Sequence, residues 1–181
     1  MKTTFNSKLV FLLSIPVIIF FSACSKNKND LSGDSKYFIR FKVDGKEKLF
    51  TGNASGGPKE QVASNGRYLL SFTAAASATG INDELLLLSV SNTSPINATG
   101  SYRNNPGSIF FNAQIIYNDE KAKSWTSVWM SLNNNLVDTH IEISEINSEY
   151  AKGTFSSTLY DVDNLTSSRK ISNGEFCVKL Y

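Results

Sequence analysis

Few residues in this 181-residue chain have types and spacing suited to chemistry. The single histidine, His140, lies in "DTHIEISE", where extended backbone places it on one face with Glu142. That i, i+2 spacing suits two metal ligands or an acid–base pair. A transition-metal site usually takes three or four ligands, and no second histidine exists to supply one. The expectation is therefore a polar outer strand face, with no metal and no cofactor. Glu142 and Asp138 form a second candidate set, the paired carboxylates of a hydrolase acting on envelope polymers, provided the fold sets them at a suitable distance.

Nucleophilic sulfur chemistry needs a thiolate, and Lys179 lies two residues beyond Cys177, on the same side of an extended strand as Glu175 and Tyr181. Nothing in the sequence places His140 beside it, so Cys177 is expected to be a small buried or edge residue. Asp161, Asp163 and Asn164 in "YDVDNLT" alternate oxygen ligands in the manner of a calcium loop. The glycine and glutamate offsets of an EF-hand are absent, and a polar hairpin loop is expected.

The stretch "SWTSVWMSL" offers binding without catalysis. In a strand Val128, Met130 and Leu132 take one face, while Trp125, Ser127, Trp129 and Ser131 take the other. Two tryptophans about 13 Å apart, at roughly 3.3 Å per residue, could form a platform for sugar rings or an apolar ligand. Tyr102, Tyr117 and Tyr160 are its candidate neighbours. The competing expectation is that this face also meets the core, because tryptophan is normally mostly buried.

The elements that must position these residues are strands. In "YFIRFKV" Tyr37, Ile39, Phe41 and Val43 share one face and Arg40 and Lys42 the other; Asp44-Gly45 then suits a tight turn into "KEKLF". "SIFFNAQIIYN" alternates likewise through Ile109, Phe111, Ala113, Ile115 and Tyr117. "RYLLSFTAAA", "ELLLLSV", "WTSVWMSL", "THIEIS", "GTFSSTLY" and "GEFCVKLY" fit the same template between clusters of Gly, Asn, Ser and Asp. The unbroken run Leu85 to Leu88 suggests a central strand covered on both faces. Only "GPKEQVASNG" offers a short helix. The expected fold is all-β, a single antiparallel β-sandwich or flattened β-barrel of about nine strands over residues 36–181.

The N-terminal segment speaks to compartment. Lys2 and Lys8 precede the apolar run Leu9 to Phe21, and the small pair Ser22-Ala23 abuts Cys24. That run falls short of the roughly 20 residues a spanning helix needs. Residues 1–23 thus resemble the signal of a bacterial lipoprotein precursor with its lipobox, although Phe21 stands where that family more often has Leu. The resemblance implies that Cys24 carries lipid, becomes the new N-terminus and leaves Cys177 without a disulfide partner. Residues 24–35 read as the lipidated cysteine and a polar tether, reaching up to roughly 35 Å when extended.

Removing Lys2 and Lys8 leaves 16 of 18 basic residues against 16 acidic ones, so the apparent charge of +2 belongs to the export signal. A neutral domain gives no reason to expect a nucleic-acid partner. "FKVDGK", "GTFSSTLY" and "ISNGEF" together resemble small uncharacterised Bacteroidota-type lipoproteins with a β-rich domain of unknown function. The resemblance implies a lipid-anchored envelope protein with no catalytic residues to carry over. The expected position is the outer membrane, facing the periplasm. Expected partners are the membrane through Cys24 and a glycan, an apolar ligand or another envelope protein.

Overall fold

A computed structural model of the chain describes residues 36–51, 54–57, 61–62, 66–76, 84–104, 110–128 and 137–181. Among these residues there is no helix, and the architecture is all-β. The strands are β1 (Phe38–Val43), β2 (Lys46–Phe50), β3 (Ser55–Gly56), β4 (Gln61–Val62), β5 (Tyr68–Ala75) and β6 (Leu85–Asn92). They continue as β7 (Gly100–Arg103), β8 (Ala113–Asn118), β9 (Ser124–Thr126), β10 (Thr139–Ile146), β11 (Tyr150–Asp161) and β12 (Ser168–Leu180).

The long hairpin β11–β12 organises the molecule. On one side β12 pairs with β1 and then, at Lys179 and Leu180, with β3; on the other side β11 pairs with β10 and then, at Tyr160 and Asp161, with β9. One layer therefore runs β2-β1-β12-β11-β10-β7, and β5-β6-β8 form a second. The two are laced together at diagonally opposite corners by β3 and β9, only two and three residues long. Splints that short do not close a regular barrel, and the molecule is a flattened sandwich.

Alternation built the core as the sequence indicated. Ile39, Phe41 and Val43 of β1 and Ala113, Ile115 and Tyr117 of β8 are buried, and rings from both layers meet there. Phe41 packs edge-on against Tyr117 at 5.8 Å, and Phe72 of β5 lies 4.9 Å from Phe176 of β12. The Asp44-Gly45 turn forms with φ angles of 49° and 83°, the left-handed pair that a two-residue hairpin requires.

Two expectations are corrected, and a third holds along most of its strand. Gln61 and Val62 pair with β5 as a strand, so the segment 57–66 is not helical where it is described. The strand expected from Ser108 begins only at Ala113, because Asn104 Oδ1 accepts the N–H groups of Asn112 and Ala113 and turns the chain there. Leu86, Leu88 and Val90 are buried on one face of β6 and Ser89 and Ser91 on the other, so the strand is central and covered on both faces, with Leu85 and Leu87 at its start half-buried.

The repeated Gly-x-Phe of "GTF" and "GEF" acquires its reason from register. Gly153 stands opposite Phe176, and Gly174 opposite Phe155, so each ring lies over the glycine of the neighbouring strand. A Cβ on Gly153 would sit 1.8 Å from the Glu142 carbonyl oxygen and 2.5 Å from Phe176 Cζ. The absent side chain lets β10, β11 and β12 approach this closely.

Candidate functional site

Polar groups converge at the end of the sandwich formed by the β8–β9 turn, the 162–167 turn and the start of β6. The β8–β9 turn is built around Asp119, whose Oδ1 accepts the N–H groups of Lys121 and Lys123 at 3.0 and 3.1 Å. That leaves Oδ2 to face inward, where it accepts the indole N–H of Trp125 at 3.1 Å and meets Arg169 Nη2 at 3.3 Å. Trp125 stands opposite both Tyr117 and Asp161 in register, and directly paired antiparallel residues share a face. All three consequently point into the molecule.

Two more ion pairs complete the set. Lys123 Nζ lies 2.5 Å from Asp161 Oδ2, and Lys48 Nζ lies 2.5 Å from Glu84 Oε1, which also accepts the Tyr117 hydroxyl at 2.7 Å. Arg169 and Lys123 lie over the Trp125 ring, at 4.5 and 4.9 Å from its centroid. Each such contact stabilises by about 0.5–2 kcal/mol depending on solvation. Thus Glu84, Asp119 and Asp161 each have a cation.

The electrostatics hold these groups in one protonation state. Burial works to raise Asp119, but the Trp125 indole, the turn N–H groups and Arg169 outweigh it and hold the carboxyl below its usual range. Lys123 does the same for Asp161 against its burial. Burial, reinforced by Glu84, pushes the Tyr117 hydroxyl far up, so it stays a donor. Ionised carboxylates that each face a cation make a clasp rather than a source of protons, although Asp161 Oδ2, paired with Lys123 at 2.5 Å, accepts no hydrogen bond. The clasp nevertheless reaches solvent through Glu120, Lys123 and Arg169, next to the exposed Val162.

The structure settles Trp125 in favour of the core. Its residue is 5 % exposed, so the ring offers no open face for stacking, and the expected platform is corrected at this position. Tyr117 is fully buried, and Tyr102 and Tyr160 are half-buried. Trp129, Met130 and Leu132 lie outside the described residues, as does Cys24. In a Trp129→Phe variant the remaining Trp125 emission is expected to be blue-shifted and almost unquenched by acrylamide; red-shifted, quenchable emission would contradict the buried ring.

The outer face of β10 carries the other candidates. His140 Nε2 lies 2.8 Å from Ser101 Oγ of β7, a partner that no sequence spacing indicated. Asp138 and Glu142 are both exposed. Four residues of extended chain separate them by about 13 Å, wider than the roughly 5–9.5 Å of glycosidase carboxylate pairs. Cys177 is buried in register between Phe38 and Lys152. In the 162–167 loop, Asp161 Oδ1 accepts the Asp163 N–H and Asn164 Oδ1 accepts the Thr166 N–H and hydroxyl, the bonding of a polar hairpin loop.

Sequence reasoning did not find Glu84, Asp119, Lys123 or Arg169 as a group. The only local signal was the charged turn "NDEKAKSW". Comparison with protein-family models, curated proteins and solved structures finds no match to this chain.

Proposed function

We propose that this protein is a lipid-anchored component of a bacterial cell envelope whose β-sandwich binds a partner without chemistry. The observation that carries the reading is the order of Lys2, Lys8, the apolar run to Phe21, Ser22-Ala23 and Cys24, followed at once by polar sequence. Several acyl chains on Cys24 would hold the protein firmly where one would hold it marginally. The similarity of "FKVDGK", "GTFSSTLY" and "ISNGEF" to small Bacteroidota-type lipoproteins supports the same reading. Removal of the signal leaves 16 basic against 16 acidic residues, a balance that gives no reason to add a nucleic-acid partner. Two lysines against one acid before Leu31 in the tether support a periplasm-facing position, because surface-export signals in the lipoproteins it resembles tend to be acidic there.

The charged tip supports the binding half. Lys123 and Arg169 are held in place by the buried Asp161 and Asp119, and Glu120 by the half-buried Lys48, so less side-chain freedom is lost when a partner engages them. A glycan or a polar surface of another envelope protein fits that chemistry better than an apolar ligand does. The competing hydrolase reading has the Ser101–His140 contact in its favour, but both residues lie on a sheet face rather than beside converging oxyanion donors.

Metabolic labelling with a palmitate analogue tests the anchor. The wild-type chain is expected to take the label and sediment with membranes, and Cys24→Ala to lose both properties. Labelling that survives Cys24→Ala would overturn the reading. Turnover of envelope polymer at catalytic amounts of protein, abolished by Glu142→Gln or His140→Ala, would replace the binding half with the hydrolase.

A further inference from the structure

The opposite end of the sandwich has a different composition. There β1 begins, β10 and β12 finish and β11 starts, so Lys36, Tyr37, Phe38, Tyr150, Lys179 and Tyr181 come together. Lys36 Nζ lies 5.3 Å from the Tyr37 ring centroid and 5.8 Å from that of Tyr150; Lys152 lies 4.7 Å from Tyr150, and Lys179 5.0 Å from Tyr181. Tyr181 is 77 % exposed, the most open large aromatic among the described residues. Lys36 and Tyr37 both pair with Glu149. The described chain starts at Lys36, so the residues that connect the domain to Cys24 join it at this patch.

We infer that this tyrosine–lysine end is a membrane-facing surface that rests on the lipid headgroups of the bilayer carrying the anchor. The inference depends on the lipid anchor proposed above. Tyrosine concentrates at bilayer interfaces because its ring suits the acyl boundary while its hydroxyl stays among headgroups. Lysine extends an apolar stem along such a surface and delivers its ammonium to phosphate. Here both kinds are stacked on each other at the point where the tether attaches. Docking this end stands the β11–β12 hairpin upright, and the 12 residues of β11 then lift the charged tip some 35–40 Å, at about 3.3 Å per residue, above the headgroups. One end would hold the membrane while the other presents Glu120, Lys123 and Arg169.

The test uses the full lipidated chain reconstituted into phosphatidylethanolamine–phosphatidylglycerol vesicles with a fluorescent acceptor on some headgroups. A donor is attached at Ser148→Cys, on the turn beside the patch, or at Val162→Cys, on the distal turn; Cys177 is 2 % exposed and escapes labelling. Energy transfer is expected to be several-fold stronger from position 148 than from 162. Tethering alone biases that ratio, so the decisive comparison adds Lys36→Glu, Lys179→Glu and Tyr181→Ser together, with the melting temperature as a control on folding. A ratio that falls at least twofold supports the docked end, whereas an unchanged ratio in a folded, vesicle-bound variant overturns it. A wild-type chain that does not float with vesicles removes the anchor itself, and this inference with it.

Discussion

Gly153→Ala is expected to lose about 3 kcal/mol of stability, the upper part of the range for overpacking a close approach. Its methyl group would lie 1.8 Å from the Glu142 carbonyl oxygen, and backbone cannot yield as a flexible side chain does. Either β10 separates from β11, breaking register from Thr139 to Ile146, or β11 lifts from Phe176 and opens the core. Phe176→Leu should rescue the variant only in part, since it relieves the contact with the ring at 2.5 Å and leaves the carbonyl in place. Thr154→Ala, at the exposed neighbouring position, should stay within about 0.5 kcal/mol of wild type. Urea denaturation of the three variants decides the matter: a Gly153→Ala midpoint close to wild type would mean that the strands are not this near.

Asp119→Ala should cost about 3 kcal/mol, because it strips the β8–β9 turn of its acceptor and leaves the Trp125 indole N–H and Arg169 without theirs. Asp119→Asn separates these effects. Its carbonyl still accepts from Lys121 and Lys123, while its amide cannot accept from the indole or balance Arg169, so an intermediate loss of about 2 kcal/mol is expected. Acid titration gives an independent check. The Asp119 carboxyl is depressed in the folded protein, so the stability it contributes is fully present above its ordinary value of 3.8 and is lost as pH falls from there through the lower folded value. Asp161 acts in the same direction. Wild-type stability should therefore drop below about pH 4, and the drop should shrink in Asp119→Asn. An unchanged acid profile in that variant would show that Asp119 is not held ionised by these partners.

The two changes probe different devices, one inside a layer and one at a corner between the layers. Gly153 permits the closest approach within the β10–β11–β12 layer, whereas Asp119 fastens the β8–β9 corner to β12 through Arg169. The Trp125 ring lies buried in that corner with two cations packed against it, closed to a stacking ligand. Under the proposed function, recognition would fall to the rim of the clasp, where the same cations reach solvent.

Local sequence determined which residues of most strands face inward. Period two fixes that outcome whatever the neighbours are, as Ile39, Phe41 and Val43 show in β1 and Ile141 and Ile143 in β10. Asp44-Gly45 fixed its turn because few residues accept left-handed angles cheaply. The same alternation placed Trp125 on a face but was silent on whether another layer covers that face. Only the tertiary structure decided it, by tying β9 between β8 and β11. Register was equally hidden: "GTF" and "GEF" are two unremarkable triplets until antiparallel pairing sets Gly153 against Phe176. The clasp was the least legible feature, since Lys48 and Glu84 are 36 residues apart and the attraction between charges carries no sequence period. Strand patterning is a property of neighbouring residues, whereas partner choice depends on which strands the layers bring together, and that is set by the packing of the whole chain.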